Sequence, residues 1–166
     1  MSFSELNSVE LPIAQWLTEL GWTYRSPAEM RAYSRPLADP FVQPVLVDAL
    51  VRLNPGVIET ADDALAVINQ VLRPFHRTPD WLLANSHFLT LLQDGARLQL
   101  RPGEQTRTVR LVDFDSIGNN DLCVARQYQV RGSRTVRADL TLLVNGIPLV
   151  LIEAKSPTAN EDWREA

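Results

Sequence analysis

The sequence predicts a mixed α/β fold (α+β layering): helices come first, a sheet follows, and one N-terminal helix packs on that sheet. Up to about residue 95 the apolar residues recur at helical spacing, and from about residue 105 they alternate with polar residues, as strands do. Asn145-Gly146 joins two alternating segments and is a strong hairpin signal. We therefore expect one domain over residues 1–166, helical over about 1–95 and sheet-forming over about 105–156.

Four helices are expected, at about residues 8–21, 41–53, 61–72 and 86–93. In the first helix four apolar residues share the face that would pack on the sheet: Ile13, Trp16, Leu17 and Leu20. Residues 22–38 are expected to form a loop.

Four strands are expected, at about residues 107–114, 122–130, 135–144 and 147–154. The last strand is apolar on both faces, which is typical of a central, buried strand. Glu153 and Lys155 come at its end, so we expect them in a cleft at the end of the sheet rather than on an open edge.

Composition excludes several classes of protein. No run of about 18 apolar residues exists that could span a membrane, and the N-terminus lacks the apolar core of a signal peptide. The single Cys123 rules out an internal disulfide, and no Cys/His set could hold zinc. These features favour a cytoplasmic protein with no membrane partner.

The charges are unevenly distributed around a net value of −4. Residues 97–137 carry eight arginines and four acids, whereas residues 138–166 carry two basic groups and five acids. A basic stretch beside an acidic one suits a site that holds both phosphates and cations. Of the 16 basic residues, Lys155 is the one lysine, and a lysine ammonium, unlike a guanidinium, changes its pKa readily on burial.

Asp139, Glu153 and Lys155 are the candidate catalytic residues. Glu153 and Lys155 are two apart on a strand, so they share a face. A strict two-residue turn at Asn145-Gly146 would place Ala138, not Asp139, opposite Glu153. A three-residue connection or one bulge would place Asp139 there, so we predict a longer turn or a bulge in this hairpin.

Paired carboxylates at Asp139 and Glu153 would favour a metal ion. Two carboxylates a few ångströms apart repel, which raises the pKa of one unless a cation lies between them, and Mg²⁺ prefers such oxygen ligands. The ion would polarise a scissile phosphate, and Lys155 would orient or deprotonate the attacking water. Glu10, on the packed face of the first helix, is a further candidate ligand. A purely structural Lys–Glu–Asp ion network remains the alternative.

Four arginines of the basic stretch are candidates for contacts with DNA phosphates: Arg126, Arg131, Arg134 and Arg137. They lie along or between two predicted strands. Exposed strand arginines without a specific role would give the same pattern, so both interpretations stay open.

Two stretches carry a likeness to a known family: FDSIGNNDLCVARQYQVRG, from residue 114, and RADLTLLVNGIPLVLIEAKSP, up to residue 157. They resemble the N-terminal nuclease region of the restriction (R) subunit of Type I restriction–modification enzymes. The specific parts are NND at 119–121, the pair Gln127-Tyr128 and the segment 144–157. Earlier stretches are similar in order and spacing, so the likeness covers nearly the whole chain: ELPIAQWLTELGW, RAYSRPLADPFVQPVLVDALVRLNP and NSHFLTLLQDG.

The resemblance implies a PD-(D/E)xK restriction-endonuclease-like core, which is a mixed sheet with a packed N-terminal helix and an inserted helical region. It also implies that Asp139, Glu153 and Lys155 are the catalytic trio and that Glu10 is the acid of the first helix. It implies a Mg²⁺-dependent endonuclease that cuts foreign double-stranded DNA in host defence. Methyltransferase and specificity subunits would be its partners, and ATP would be used by translocase domains absent from this chain. The alternatives are a non-catalytic DNA-binding or docking module on the same fold and a stand-alone nuclease of a related defence system.

This sequence departs from the family pattern in two respects. Ala138 stands before Asp139 where the family usually has proline. The chain also stops before the family's Gln-x-x-x-Tyr motif, which follows the lysine. We therefore expect a fragment, truncated before the domain's last helix, that binds metal better than it cuts DNA.

Overall fold

The computed structural model describes residues 9–77, 80–101 and 103–155. The chain divides into two compact units, one formed by Met1–Val42 and Leu122–Ala166, the other by Gln43–Asp121. The second unit is thus inserted in the sequence of the first. Within the described residues, no helix has both the length and the apolar character needed to cross a membrane.

The fold is mixed α/β, as predicted, although a strand already follows the first helix, so the helices do not all precede the strands. Numbered in chain order, they are α1 (Leu11–Glu19), β1 (Thr23–Arg25), α2 (Pro27–Ala32), α3 (Gln43–Leu53), α4 (Ala61–Val67), α5 (Trp81–Asp94), β2 (Ala96–Leu98), β3 (Arg107–Val109), β4 (Leu122–Arg131), β5 (Thr135–Val144) and β6 (Ile147–Ile152). The helix predicted at 61–72 is α4 followed by a π-helical turn, Ile68–Leu72, and a 3₁₀ turn, Arg73–Arg77. A second 3₁₀ turn, Ile117–Asn119, precedes β4.

The first unit is built on a four-stranded sheet with the order β1-β4-β5-β6. β1 runs parallel to β4, whereas β4 with β5 and β5 with β6 are antiparallel, so the sheet is mixed, as predicted. β5 spans the residues predicted for it, and β4 and β6 begin at their predicted residues. Asp139 therefore lies on β5, and Glu153 and Lys155 come just after the end of its neighbour, β6.

Helix α1 covers one face of this sheet. Its buried Ala14 packs with Val124 of β4 and Leu140 of β5, and partly buried apolar residues surround this cluster. The predicted packing of an N-terminal helix on the sheet is confirmed. The apolar face is only partly used, because Trp16 and Leu20 are 64% and 75% exposed.

β6 is the edge strand of the described sheet, so the prediction of a central, buried strand is wrong for this part of the chain. Leu149, Val150 and Leu151 are 41%, 45% and 60% exposed. Glu153 and Lys155 are likewise exposed rather than held in a cleft. Apolar residues on both faces indicate that the strand tends to be buried. The sequence pattern alone does not show which part of the protein, if any, covers it.

Residues 22–38, predicted as a loop, contain β1 and α2. Ser26 and Glu29 form a reciprocal capping box at the start of α2: the N–H of Glu29 donates to the Ser26 hydroxyl (3.3 Å), and the N–H of Ser26 donates to the Glu29 carboxylate (2.8 Å). Serine followed three residues later by glutamate, with Pro27 in the first turn, is a readable helix start that the prediction missed. β1 has three residues, too few to show alternation.

The second unit contains α3, α4, α5 and the antiparallel pair β2-β3. Asn54, just beyond the end of α3, links the helix to the segment after β3. Its amide nitrogen donates to the carbonyls of Leu50 (2.8 Å) and Arg110 (2.9 Å), and its amide oxygen accepts from the N–H of Arg110 (2.7 Å). Because Asn54 is buried, these hydrogen bonds replace those that water would provide.

The end of this unit differs from the prediction in three elements. α5 begins at Trp81, earlier than expected, because the Asp80 carboxylate accepts a backbone N–H of the first turn. Gly95 ends α5 with a φ of +80°, and a Cβ there would lie 2.8 Å from the carbonyl oxygen of Val109. Only glycine lets β2, which was not predicted, start directly against β3. β3 itself covers three residues of the predicted 107–114.

A second capping box, between Thr60 and Asp63, begins α4. One carboxylate oxygen of Asp63 accepts from the hydroxyl (2.9 Å) and the N–H (3.1 Å) of Thr60, and the other pairs with Arg101 at 2.9 Å. The hydrogen bond from the Thr60 hydroxyl, helped by backbone N–H groups and the Arg101 charge, lowers the pKa of Asp63.

We expect Asp63→Ala to destabilise the protein by about 1 kcal/mol, or roughly 2–4 °C in Tm, because the cap and the ion pair are both lost. A carboxyl with a lowered pKa in the folded state contributes stability above its unfolded pKa of about 3.9 and loses it as the pH falls through the folded pKa. The difference in Tm from wild type, measured by thermal unfolding, should therefore be full at neutral pH and shrink in acid.

The exposed neighbour Asp62 provides the matched control. Asp62→Ala should change Tm by less than Asp63→Ala at neutral pH, because no capping hydrogen bond is removed. Equal shifts for the two variants would contradict the role assigned to the box.

Candidate active site

The β5–β6 hairpin closes with a two-residue turn. Val144 pairs with Ile147 across Asn145-Gly146, whose φ values are +53° and +78°. Positive φ at both central residues is the geometry that matches the twist of a hairpin and that Asn-Gly adopts readily. By itself, this turn would leave Asp139 on the wrong face.

A single bulge corrects the register. Leu143 pairs with Pro148, but Leu142 pairs with Val150, so Leu149 is the extra residue. Beyond the bulge the pairing is regular to Leu140 and Ile152, and its continuation sets Asp139 opposite Glu153. The predicted bulge is confirmed, and with it the expectation that the two carboxylates lie on one face.

Both carboxylate oxygens of Asp139 are held by hydrogen bonds. The N–H of Ala154 donates to one oxygen at 2.8 Å, and the side-chain amide of Gln127 donates to the other at 3.1 Å. One donor comes from the segment just after β6 and the other from β4, so Asp139 is fixed from both sides of its own strand. Each oxygen keeps a second lone pair for another partner.

Gln127 is the residue of this site that the sequence prediction missed. It lies opposite Asp139, between the pairs Arg126–Leu140 and Tyr128–Ala138. Its φ is +54°, a left-handed conformation that is rare for a residue other than glycine in the middle of a strand. Such strain persists only where surrounding structure imposes it, and it is concentrated at functional sites. The alternation of apolar and polar residues in this strand does not indicate a left-handed residue. Only the resemblance to the family singled out the pair Gln127-Tyr128.

The charges around Glu153 oppose one another. Although Glu153 is exposed, the partial loss of water around its carboxylate raises its pKa, and the neighbouring Asp139 raises it further through its charge and a hydrogen bond. Lys155 and Arg137 act in the opposite direction and lower that pKa. The trio Asp139, Glu153 and Lys155 is therefore one electrostatically linked group, with Arg137 at its margin.

Glu10 and Arg126, two further candidates, lie together. Their charged groups are 3.6 Å apart, and both side chains are largely buried, with 7% and 23% exposure. Among the described residues, no three Asp, Glu, His or Cys side chains come close enough to hold a metal ion together. The structure thus does not gather Glu10 into a common cluster with Asp139 and Glu153, and its role as a metal ligand stays a prediction.

The other three candidate arginines, Arg131, Arg134 and Arg137, are exposed. Arg131 ends β4, Arg134 lies in the connection to β5, and Arg137 is on β5, two residues before Asp139. Residues two apart on a strand share a face, so the positive charge of Arg137 lies on the same face as Asp139 and near Glu153. Contact of these arginines with DNA stays a prediction.

Residues 2–166 match the family described as Type I restriction enzyme R protein N terminus. The chain belongs to this family. The type I restriction enzyme HindI endonuclease subunit of Haemophilus influenzae is 32% identical over 160 residues, which are 91% of this chain and 15% of that protein. A Methanocaldococcus jannaschii protein with the provisional name type I restriction enzyme MjaIXP endonuclease subunit is 30% identical over 167 residues, 95% of this chain and 16% of that protein.

The likeness to the Type I R subunit is therefore confirmed at the level of the family. This R-subunit N-terminal region spans about a sixth of the length of the curated relatives it matches. The activity and partners of those longer proteins are taken up below as proposals for this chain.

The site geometry predicts the titration of Glu153. We expect Asp139→Asn to lower the pKa of Glu153 toward its ordinary value, because the neighbouring negative charge is removed; the effect of burial remains. Lys155→Gln should shift the same pKa upward, because a cation is lost. Nuclear magnetic resonance titration of the Glu153 carboxyl carbon measures both shifts.

Asp115, an exposed aspartate outside this unit, provides the control. Asp115→Asn should leave the pKa of Glu153 unchanged. A Glu153 pKa that does not respond to Asp139→Asn would show that the two carboxylates do not share a site.

Proposed function

We propose that this chain is the nuclease domain of a Type I R subunit and that it hydrolyses phosphodiester bonds of double-stranded DNA with Mg²⁺. The observation that carries the proposal is that the β5–β6 register, continued by one residue, sets Asp139 opposite Glu153, with Lys155 close enough to lower the pKa of Glu153. A purely structural ion network would gain little stability from two adjacent acids, because their repulsion raises the pKa of one of them. A site that binds a cation and a phosphate explains the combination.

The residues present fit a magnesium ion. Mg²⁺ takes oxygen ligands and in enzymes is commonly held by one or two carboxylates, with water and substrate phosphate completing its shell. Asp139 and Glu153 would be those two ligands, and the carbonyl of Ala154, whose N–H already reaches Asp139, is next to them. The absence of a three-acid group among the described residues agrees with an open site rather than a closed protein cage.

When bound, the metal would polarise the scissile phosphate and lower the pKa of a coordinated water. The residues of the chain itself orient the reacting groups and supply positive charge. Gln127 and the N–H of Ala154 hold Asp139 in one orientation, so that no reorganisation is needed when substrate arrives. Lys155 orients the attacking water and offsets negative charge that develops on the phosphate. Arg137 adds a second positive charge at the margin of the site.

The rest of the proposal concerns the longer protein. The site belongs to a PD-(D/E)xK core, and sequence recognition and methylation come from separate specificity and methyltransferase subunits. ATP is used by translocase domains outside this chain. Foreign DNA is then met and cut in the cytoplasm.

We expect Asp139→Ala or Lys155→Ala, introduced in the complete R subunit with its partner subunits, to reduce DNA cleavage by at least about 100-fold, the scale of a lost acid–base or electrostatic group. ATP hydrolysis should be retained, because it belongs to other domains. Asp115→Ala, an exposed aspartate outside this unit, should leave cleavage unchanged. Undiminished cleavage in both site variants would sink the proposal.

Metal binding separates a nuclease from a docking module on the same fold. We expect Mg²⁺ or Mn²⁺ at about 100 times its Kd to stabilise the chain by about 2.7 kcal/mol, seen as a rise in Tm. The double variant Asp139→Asn/Glu153→Gln should lose this rise, whereas Asp62→Asn should keep it. A rise in Tm that survives the double variant would favour the docking module.

A further inference from the structure

A cavity of about 170 Å³ lies between α2 and β4, and Gln127, whose amide binds Asp139, is part of its lining. One wall comes from the end of α2 and the turn after it, with Arg31, Ser34 and Arg35, and the other comes from β4, with Gln127, Tyr128 and Gln129. Apolar side chains line the remainder. Cavities that take a whole small molecule run to about 300–1,000 Å³, so this one suits a single small group.

The lining of the cavity favours an anion. It contains two arginines, four uncharged polar residues (Tyr128 among them) and no acid. Arg35 is fixed in place: it donates to the carbonyls of Asp39 and Gln129, and its guanidinium lies 4.4 Å from the centre of the Tyr128 ring. These bonds use part of its five N–H donors, and its positive charge remains at the wall. Arg31, on the rim, is exposed and can move toward a ligand.

Tyr128 adds no negative charge to the cavity. Its hydroxyl donates to the carbonyl of Pro40 at 2.6 Å, and burial raises its pKa far above the physiological range. The phenol is therefore neutral. A group with one or two negative charges and several acceptor oxygens, such as a phosphate, matches this combination of fixed charge, mobile charge and hydrogen-bond donors.

Gln127 connects the cavity to the candidate active site. Part of this residue lines the cavity, and its amide nitrogen lies 3.1 Å from a carboxylate oxygen of Asp139. The cavity is thus one side chain away from the carboxylate. Successive phosphates along one DNA strand follow at about 3.4 Å of helix rise, so a duplex cut at Asp139 and Glu153 carries further phosphates close to the scissile one.

We propose that the cavity between α2 and β4 is a subsite for a DNA backbone phosphate next to the one that is cut, with Arg31 as its mobile cation. The inference rests on the proposed nuclease function and names how that site holds its substrate. The subsite positions the duplex; it takes no part in bond cleavage. Gln127, which touches both places, keeps Asp139 oriented while the neighbouring phosphate is bound.

Salt dependence of DNA binding tests the subsite, because each phosphate contact adds about 0.9 to the slope of log K against log salt concentration. A short DNA duplex is titrated into the full chain without divalent ions, so that nothing is cut. We expect Arg31→Gln to reduce the slope by about 1. Arg31→Lys should keep the slope, because the charge remains. Arg97→Gln, at an exposed arginine of the other unit, is the matched control and should leave the slope unchanged.

Four outcomes would overturn the subsite: no binding of DNA by the wild-type chain, a wild-type slope for Arg31→Gln, an equal loss for Arg97→Gln, or no rescue by Arg31→Lys. Inorganic phosphate serves as a second probe. If it raises the Tm of the wild type but not of Arg31→Gln while the DNA slope is the same for both, the cavity binds free phosphate and the DNA assignment is wrong.

The test is independent of cleavage. Cleavage that disappears with Asp139→Ala, combined with a wild-type slope for Arg31→Gln, would leave the nuclease proposal standing and remove the subsite. Cleavage that persists in the site variants would remove the nuclease proposal whatever the slope shows.

Discussion

One extra residue, Leu149, is the constraint on which the candidate active site depends. Side chains alternate between the two faces of a sheet, so a register shift of one residue moves a side chain to the opposite face. The tight Asn145-Gly146 turn alone would set Ala138 opposite Glu153. The extra residue at the bulge shifts the pairing by one, and the continued register then sets Asp139 opposite Glu153. Gln127 is placed separately, by the β4–β5 register that sets it opposite Asp139.

The site then faces an electrostatic conflict that its surroundings partly resolve. Burial and Asp139 raise the pKa of Glu153, which works against keeping both carboxylates ionised. Donors from two directions stabilise Asp139, at the cost of a left-handed Gln127. A strained residue costs on the order of 1–3 kcal/mol, and a hydrogen bond to a charged group returns roughly 1.5–3 kcal/mol. The two are comparable, so the strain is tolerated where Gln127 holds Asp139.

The sequence could predict the bulge because side chains alternate between the two faces of a sheet. With a two-residue turn, Asp139 and Glu153 can share a face only if the pairing shifts by one residue. It could not predict that β6 lies at the edge of the described sheet. The apolar residues of Leu149–Ile152 indicate a tendency toward burial, but they do not show whether another strand pairs with β6. β1 is too short for any period to emerge, and it is defined by pairing with a strand about 100 residues away. The conformation of Gln127 depends on contacts with other strands, which composition and spacing do not encode.

Glu10 and Arg126 show the limit of assigning charged residues one at a time. In the sequence each suggests a partner outside the protein, a metal for one and a phosphate for the other, yet in the fold their charged groups lie 3.6 Å apart at the start of α1. Removing either partner of a buried pair leaves an uncompensated charge, which costs several kcal/mol. The pair therefore ties α1 to β4 electrostatically. The exposed positive charge of this unit therefore lies with other residues, such as Arg31, Arg134 and Arg137.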